Sequence, residues 1–247
     1  MDGVIAQAAI AAVITAAGSS DRMGGGVKKE YRPLGAGIND AQGRPLTVLG
    51  AAVGAFAANP RIGIIVITIP SGAESGEAAA RSALPSSVLL NARLQPRLLF
   101  ASGGLTRRSS VHRALALLSA YNPDYVLIHD GCRPWVDGLI IERTIDAVLR
   151  YSAVVPLLPL TETPKEFDKT GFVTRHLRRS SVGIAQTPQG FAFREILRAH
   201  ELAAERETGG NCEYTDDAEI WGEFIGPVAM VEGSVKNRKI TFPEDLS

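Results

Sequence analysis

The chain has 247 residues, of which 45% are hydrophobic and 21% are charged, and its 26 Lys and Arg residues balance its 26 Asp and Glu residues. This composition is that of a soluble globular protein, and the length allows a large α/β domain that needs no metal or disulfide support. A formal net charge of zero argues against a strongly basic nucleic-acid binder or membrane-surface binder.

The apolar run at residues 4–17 resembles a signal-peptide core in composition. It follows Asp2 instead of a basic segment, however, and it is shorter than the roughly 20 residues that a membrane helix needs. We interpret the run as a buried strand with its lead-in. Cys132 and Cys212 have no zinc-ligand spacing. These features predict a cytoplasmic protein with reduced thiols, no membrane contact and no nucleic-acid partner.

Apolar runs rich in Val and Ile alternate with segments of helical period. This alternation predicts an α/β fold, a mostly parallel sheet with helices on both faces. The predicted strands are residues 8–15, 62–69, 97–101, 125–129 and 153–158. The predicted helices are residues 46–58, 109–121, 139–151, 191–206 and 215–224, the last with Thr215 as its N-terminal cap because two acidic residues follow it.

The segment 161–186 differs from the rest because it is polar, is interrupted by Pro164 and Gly171, and alternates over 171–177. This pattern predicts a hairpin or β-arm protruding from a single domain. A segment of this kind often mediates oligomer contacts, but a plain surface flap fits the sequence equally well.

A loop of small residues follows the first predicted strand, where ligands bind in open parallel sheets. Ala16, Ala17 and Gly18 allow main-chain amides to approach an anion, and Arg22 and Lys29 add positive charge. Amides, a guanidinium and an ammonium together suit a polyphosphate. The loop has neither the P-loop nor the dinucleotide-binding pattern, and an ordinary surface turn remains an alternative.

The third predicted strand ends at a pair of glycines, Gly103 and Gly104, and the next helix follows shortly. Glycines at this place allow a ligand to come close, and Ser110 could hydrogen-bond a base or a phosphate near the positive end of the helix. Taken alone, this segment is more typical of an ordinary turn and cap.

The fourth predicted strand ends in His129 and Asp130, with Arg133 shortly after. A carboxylate at the end of a buried strand is costly unless it is paired or binds a cation, so Asp130 is a candidate Mg²⁺ ligand and Arg133 a candidate phosphate contact. Successive strand residues point to opposite faces, which favours a structural hydrogen-bonding role for His129. The sequence lacks a recognisable hydrolytic set, so phosphate chemistry by positioning and charge neutralisation fits best.

Six motifs occur in an order found in one family. They are Ala16-Ala17-Gly18-Ser19-Ser20-Asp21-Arg22-Met23 with Lys29-Glu30-Tyr31; Gly103-Gly104 with Arg107 and Ser109-Ser110-Val111; His129-Asp130-Gly131-Cys132-Arg133-Pro134; Gln186-Thr187-Pro188-Gln189; Tyr214-Thr215-Asp216-Asp217; and Val231-Glu232-Gly233 with Asn237, Lys239 and Pro243-Glu244-Asp245-Leu246. On these motifs, the chain resembles the 2-C-methyl-D-erythritol 4-phosphate cytidylyltransferases over nearly its whole length.

The resemblance implies a single Rossmann-like nucleotidyltransferase domain over residues 1–247, with 161–186 as a dimerisation arm. It also implies transfer of CMP from CTP to methylerythritol phosphate in non-mevalonate isoprenoid synthesis, with release of pyrophosphate and with Mg²⁺ as cofactor. The implied partners are CTP, a polyol phosphate and a second copy of the chain.

Particular roles come with the resemblance. It implies that Arg22 and Lys29 stabilise the charge that grows on the triphosphate, and that Lys239 and Arg179 orient the attacking phosphate. Asp130 would hold the metal and the sugar phosphate. The residues implied to contact substrate elsewhere are Ala16, Ala17, Gly18, Gly104 and Ser110 around CTP, Arg133 beside Asp130, and Thr163, Thr187 and Thr215; within the dimer, Thr163 and Arg179 would act in the partner's site.

The chain also departs from the family pattern. Leu105 stands where many members carry an acid, residues 35–45 form a longer connection, and Gly131-Cys132 replaces two alanines.

Two other functions stay open at this level. One is a ribitol 5-phosphate cytidylyltransferase, which shares the nucleotide half of the motifs, and the other is a catalytically silent nucleotide-binding regulator of the same fold.

Overall fold

The computed structural model describes residues 8–20, 27–72, 76–89, 96–207 and 214–246. The strands within them are β1 (Ile10–Thr15), β2 (Ile62–Ile69), β3 (Arg97–Ser102), β4 (Tyr125–Asp130), β5 (Ala153–Pro159), β6 (Lys165–Phe167), β7 (Val173–His176), β8 (Gly183–Ala185), β9 (Gln189–Ala192) and β10 (Ala229–Glu232). The helices are α1 (Val48–Ala57), α2 (Gly76–Ser82), α3 (Ser86–Leu89), α4 (Arg107–Leu118), α5 (Gly138–Tyr151), α6 (Phe193–Glu207) and α7 (Asp217–Phe224).

The main sheet has the strand order β10-β5-β9-β4-β1-β2-β3, with β8 paired to β5 off this path. Strands β4, β1, β2 and β3 are parallel neighbours, as are β10 and β5. Only β8 and β9 run antiparallel to the strands they pair with in this sheet. The mostly parallel α/β sheet predicted from the alternation of apolar runs is therefore confirmed.

The side chains of β1 alternate between two cores, one on each face of the sheet. Ala11 and Val13 pack in the core covered by α4, α6 and α7, and Ala12 and Ile14 pack in the core covered by α1 and α5. This period of two is what a strand buried on both faces requires. Helices therefore cover both faces of the sheet, as predicted, and the central strand β1 is buried on both sides.

The five predicted strands and five predicted helices are confirmed with end shifts of up to three residues. One cap was wrong. Helix α7 begins at Asp217 and its N-cap is Asp216, whose carboxylate accepts from the amide of Glu219 at 2.8 Å. Thr215 precedes the cap, and its amide and hydroxyl both donate to Glu219 at 2.8 Å. The short strands β8, β9 and β10 and the short helices α2 and α3 were missed because they lack a full period of apolar residues.

Residues 165–176 form the predicted hairpin, a two-stranded antiparallel sheet made of β6 and β7 and separate from the main sheet. The side chains of both strands are exposed, and so are Phe167 and Phe172, each about three-quarters accessible. That residues 161–186 act as a protruding dimerisation arm remains a prediction. No helix in the described part of the chain is long and apolar enough to cross a membrane.

Candidate active site

A cleft of about 570 Å³ lies at the carboxyl ends of β1, β2, β3 and β4. Small residues line one side, among them Ala17, Gly18 and Gly104. Lys29 and Lys239 line it too, and Asp130 lies at its base. The loops that leave neighbouring parallel strands meet at this edge, which is where open α/β sheets bind ligands. The cleft therefore collects residues from both ends of the chain.

Three cations surround the carboxylate of Asp130, which is buried at the end of β4. Its Oδ2 lies 3.1 Å from Nζ of Lys239 and 3.3 Å from Nε of Arg133, and its Oδ1 lies 3.5 Å from Nε of Arg107. Burial raises the pKa of Asp130, but Lys239, Arg107 and Arg133 outweigh it and hold the pKa well below its usual value. Asp130 is therefore an anion embedded in excess positive charge.

Arg107, the first residue of α4, lies between two carboxylates. Its Nη2 donates to Oδ2 of the fully buried Asp217 at 2.7 Å, and its Nε faces Asp130. About a quarter of the Arg107 side chain is exposed, and it lines the cleft. Arg107 occurs within one of the six sequence motifs, but the sequence alone predicts no role for it. A basic residue just after the cap of a helix, at the carboxyl edge of the sheet, is the signal that could have identified it.

Arg133 and Thr187 lie behind Asp130 and are absent from the residues that line the cleft. Thr187 accepts from the amide of Asp130 at 3.1 Å and lies 2.9 Å from Nδ1 of His129, while Nε2 of His129 lies 3.2 Å from the carbonyl of Arg133. Burial lowers the pKa of His129 to about 4. A neutral ring with its proton on Nε2 satisfies every contact, because the hydroxyl of Thr187 then donates to Nδ1. His129 therefore has a structural role, as predicted. Its ring packs against Phe56 of α1, on the face of the sheet opposite α4.

The segment 234–241 is tied to the loop after β4, and this places Lys239 over Asp130. Arg133 donates to the carbonyl of Asn237 at 2.9 Å, and the side chain of Asn237 donates to the carbonyl of Thr187 at 2.7 Å. Ile240 donates to the carbonyl of Cys132 at 2.8 Å and accepts from Nζ of Lys29 at 3.0 Å. Arg133 and Thr187, which were expected to contact substrate, thus hold the segment that carries Lys239.

The opposite side of the cleft is built from the loops after β1 and β3. Gly104 donates to Oγ of Ser110 at 2.9 Å, and that hydroxyl donates to the carbonyl of Thr106 at 2.9 Å. Ala16 does not line the cleft, and its amide is already bonded, because it donates to the hydroxyl of Thr68 at 3.0 Å. Ala17, Gly18, Gly104 and Ser110 line the cleft, and Ala16 precedes them in the loop after β1. That these residues contact CTP stays a prediction.

Three further predicted site residues, all exposed, do not line this cleft in the chain itself. Thr163 and Arg179 are exposed in the hairpin segment, where Arg179 donates to the carbonyl of Thr161 at 3.0 Å. Thr215 is exposed beside the start of α7, with its hydroxyl on Glu219. Arg22 lies outside the described residues, so its predicted role is not addressed by the structure.

We tested the fit of Mg²⁺ on the donor set. Within the described ranges, no cluster of three or more His, Cys, Asp or Glu side chains could hold a metal ion. Asp130 supplies one ionised carboxylate, and three cations already share it. Mg²⁺ is commonly held by one or two carboxylates together with substrate phosphates and waters. The site therefore fits an ion that arrives with a polyphosphate and takes a single ligand, Asp130, from the protein.

An α/β sheet with a glycine-lined cleft at its carboxyl edge, and with cations clustered there around one carboxylate, defines an enzyme-like site for phosphorylated ligands. Residues 10–247 match the family model described as IspD: 2-C-methyl-D-erythritol 4-phosphate cytidylyltransferase. The chain therefore belongs to this family of nucleotidyltransferases.

Curated relatives carry a second part that this chain does not cover. The bifunctional enzyme IspD/IspF of Bradyrhizobium sp. (strain BTAi1) is 39% identical over 237 residues, and that of Nitrobacter winogradskyi is 40% identical over 239 residues. Each alignment takes in 96% of this chain and 54% of the relative. The chain thus spans about half the length of the curated relatives it matches.

Solved structures with similar folds bear the name of the same activity. The 4-diphosphocytidyl-2C-methyl-D-erythritol synthase of Anaerococcus prevotii superposes with a TM-score of 0.74 at 25% identity, covering 97% of this chain and 95% of that one. The 2-C-methyl-D-erythritol 4-phosphate cytidylyltransferase of Thermus thermophilus has a TM-score of 0.68 at 29% identity, covering 96% and 95%. Both alignments therefore take in nearly the whole chain.

Proposed function

We propose that the chain transfers CMP from CTP to 2-C-methyl-D-erythritol 4-phosphate and releases pyrophosphate, as a step of non-mevalonate isoprenoid synthesis. The observation that carries this proposal is the cluster of Lys239, Arg107 and Arg133 around Asp130, with Lys29 lining the same cleft. Family membership and the names of the solved neighbours support the choice of substrates.

The triphosphate would lie between the small-residue loops and the lysines. Ala17, Gly18 and Gly104 leave room for the nucleotide to approach the main chain, and Ser110 fixes the loop by bonding Gly104. A Cβ at Gly104 would collide with the side chain of Ser109, so the loop keeps its close approach to the helix only with glycine. This side of the cleft therefore leaves room for the base and ribose of CTP beside the main chain.

In the reaction, an oxygen of the sugar phosphate forms a bond to the α-phosphorus of CTP. The bond from that phosphorus to the bridging oxygen breaks, and pyrophosphate leaves with the electron pair. Because two anions must approach each other, the site must supply fixed positive charge. Lys29, Lys239 and Arg107 supply it from the described part of the chain, and Arg22 is proposed to add to it beside Lys29.

Lys29 and Lys239 respond differently when the substrates bind. In the structure the ammonium of Lys29 donates to the carbonyl of Ile240, and that of Lys239 contacts Asp130. Incoming phosphate oxygens are stronger acceptors for an ammonium than a carbonyl is, because they carry net negative charge. Binding of substrate would draw Lys29 off Ile240, whereas Lys239 is held in place by the anchored segment 234–241.

Mg²⁺ is the proposed cofactor, held by the phosphates of CTP with Asp130 as the protein ligand. When bound, the ion would neutralise charge on the phosphate oxygens and help to orient them. The residues of the chain perform the remaining tasks, which are to bind and orient both anions and to neutralise the charge that the metal leaves.

We also propose that the enzyme is a cytoplasmic homodimer in which Thr163 and Arg179 complete the partner's site. Both residues lie in the hairpin segment and do not line the cleft of their own chain. The exposed aromatic side chains Phe167 and Phe172 support a role of this hairpin in contact with another copy.

The decisive experiment measures pyrophosphate release from CTP with Mg²⁺ and either methylerythritol phosphate or ribitol 5-phosphate. We expect turnover with the first and at least 100-fold lower kcat/KM with the second. A preference for ribitol phosphate would overturn the assignment of the substrate. Tight binding of CTP without turnover on either polyol phosphate would instead indicate a silent regulator. Lys236→Ala, which changes an exposed lysine outside the cleft, is the control variant and should keep full activity.

A further inference from the structure

A chain of charged side chains runs from the buried interior to the cleft. Asp217, the first residue of α7, is fully buried and contacts two groups, Nη2 of Arg107 at 2.7 Å and Nε2 of His200 at 3.2 Å. Arg107 continues the chain to Asp130, 3.5 Å from its Nε. His200 is itself fully buried in α6 and stacks on His112 of α4.

The position of Asp217 is determined by the sheet. Gln189 of β9 donates through Nε2 to the capping carboxylate of Asp216 at 2.8 Å and accepts through Oε1 from the amide of Ala218 at 3.0 Å. Gln189 is buried and belongs to the segment that follows Thr187. The start of α7 is therefore attached to the same strand segment that supports Asp130, and Asp217 has little freedom to move relative to the cleft.

A purely stabilising role does not account for this arrangement. Replacing a buried ion pair by apolar side chains is often neutral or favourable, so such a pair is weak evidence for stability. This pair also reaches the surface of the cleft, because the Arg107 side chain is about a quarter exposed and lines it. Burial raises the pKa of Asp217, but Arg107 and His200 outweigh burial and leave the pKa below its usual value. The carboxylate that faces Arg107 is therefore ionised.

We propose that Asp217 is a positioning residue, which holds the guanidinium of Arg107 so that one edge neutralises Asp130 and the exposed part meets the anionic ligand in the cleft. His200 supports Asp217 from the opposite side. An arginine held only by Asp130 would turn toward that carboxylate and lose its orientation toward the ligand, since the side chain has several rotatable bonds. This inference rests on the proposed function for the identity of the ligand, CTP.

The test compares Asp217→Asn, Arg107→Gln and the double variant. We expect each single variant to lower kcat by about tenfold and to weaken CTP binding several-fold, as the loss of one charged contact does. Because Asp217 acts through Arg107, the double variant should be no slower than Arg107→Gln alone. The double variant also leaves no unpaired buried charge, so it provides the comparison even where Asp217→Asn alone does not fold.

The outcomes separate the possibilities. A folded Asp217→Asn protein with wild-type kcat and wild-type CTP affinity would overturn the proposal, as would a double variant at least tenfold slower than Arg107→Gln. Calorimetric titration with CTP and Mg²⁺ gives affinity and the folded fraction separately, so a merely structural defect lowers the stoichiometry and leaves Kd unchanged. This binding measurement still decides the proposal when wild-type protein shows no turnover, which is the failure of the proposed function. Glu142→Gln, which removes a carboxylate from Arg61 far from the cleft, is the control.

Discussion

The ammonium of Lys29 donates to the main-chain carbonyl of Ile240 across 3.0 Å, although the two residues are 211 positions apart in the sequence. Ile240 in turn donates to the carbonyl of Cys132, just after β4. This contact joins the loop after β1 to the segment 234–241 at the edge of the cleft. A carbonyl carries no net charge, so it holds the lysine only until a phosphate competes for it.

The first prediction follows from this contact. Lys29→Ala should lower kcat by about 100-fold or more, because electrostatic groups aimed at developing charge act mainly in the transition state. CTP affinity should change less than fivefold, since several other groups line the cleft. Single-turnover kinetics and calorimetric titration measure the two effects. An unchanged rate of the chemical step would contradict the role of Lys29, and Lys236→Ala provides the matched lysine control.

Asp130→Asn should affect both stability and activity. The substitution removes the anion that Lys239, Arg107 and Arg133 share, so we expect the free energy of unfolding to fall by about 2 kcal/mol and turnover to fall by about 100-fold. Denaturant unfolding and pyrophosphate release measure the two. Asp137→Asn is the control, because Asn caps a helix as well as Asp does, so α5 should be unaffected. Wild-type stability in Asp130→Asn would mean that the cations do not depend on the carboxylate.

The dimer proposal predicts complementation between two inactive variants. Lys29→Ala and Arg179→Ala subunits mixed at equal amounts and reassembled should regain about one quarter of wild-type turnover, since half of the dimers are mixed and each regains one of its two sites. If Arg179 acts within its own chain, the mixture stays inactive. Each variant reassembled alone is the control, and light scattering checks that the proteins are dimers. A monomeric active enzyme would contradict the proposal.

Gly103→Ala should destabilise the protein by about 1–3 kcal/mol, as overpacking does. A Cβ at this position would collide with the Cβ of Ala17 and approach the carbonyl of Ile69 to 3.0 Å, which would push apart the loops that form the cleft. We expect weaker CTP binding as well. Gly54→Ala in α1 is the control, because its Cβ would meet only Pro85, at 4.0 Å, and a helical alanine is more favourable than glycine. Equal unfolding midpoints for the two variants would show that the loop at Gly103 accommodates the added Cβ with no loss of stability.

Much of the fold could be predicted from local patterns. The Val and Ile runs of β1, β2 and β4 are largely buried, so they stand out by composition, and the helices between the strands show one apolar stripe. Strand β9 could not be predicted in this way, because its four residues begin in the Thr187-Pro188-Gln189 motif and pair with β4 and β5 only in the folded chain. The period of two did predict that His129 and Asp130 face opposite sides, as they do.

Local sequence patterns are enough to predict the alternation of strands and helices and the motif loops at the strand ends, and these loops contain Lys29, Asp130 and Lys239. Which of these groups meet depends on the three-dimensional fold. Strand order and register bring the ends of β4, β1, β2 and β3 to one edge, and main-chain bonds from residues 234–241 carry Lys239 to Asp130.

The same long-range contacts separated groups that act in the cleft from groups that support it. Arg133 and Thr187 belong to sequence motifs, yet neither lines the cleft. Thr187 accepts from the amide of Asp130, and Arg133 donates to the carboxylate of Asp130 and to the carbonyl of Asn237. Asp217 and Arg107 became a pair through α4 and α7, which lie on one face of the sheet. The physical reason is that side-chain type and local period act over a few residues, whereas the partner of a buried charge is set by the packing of distant elements.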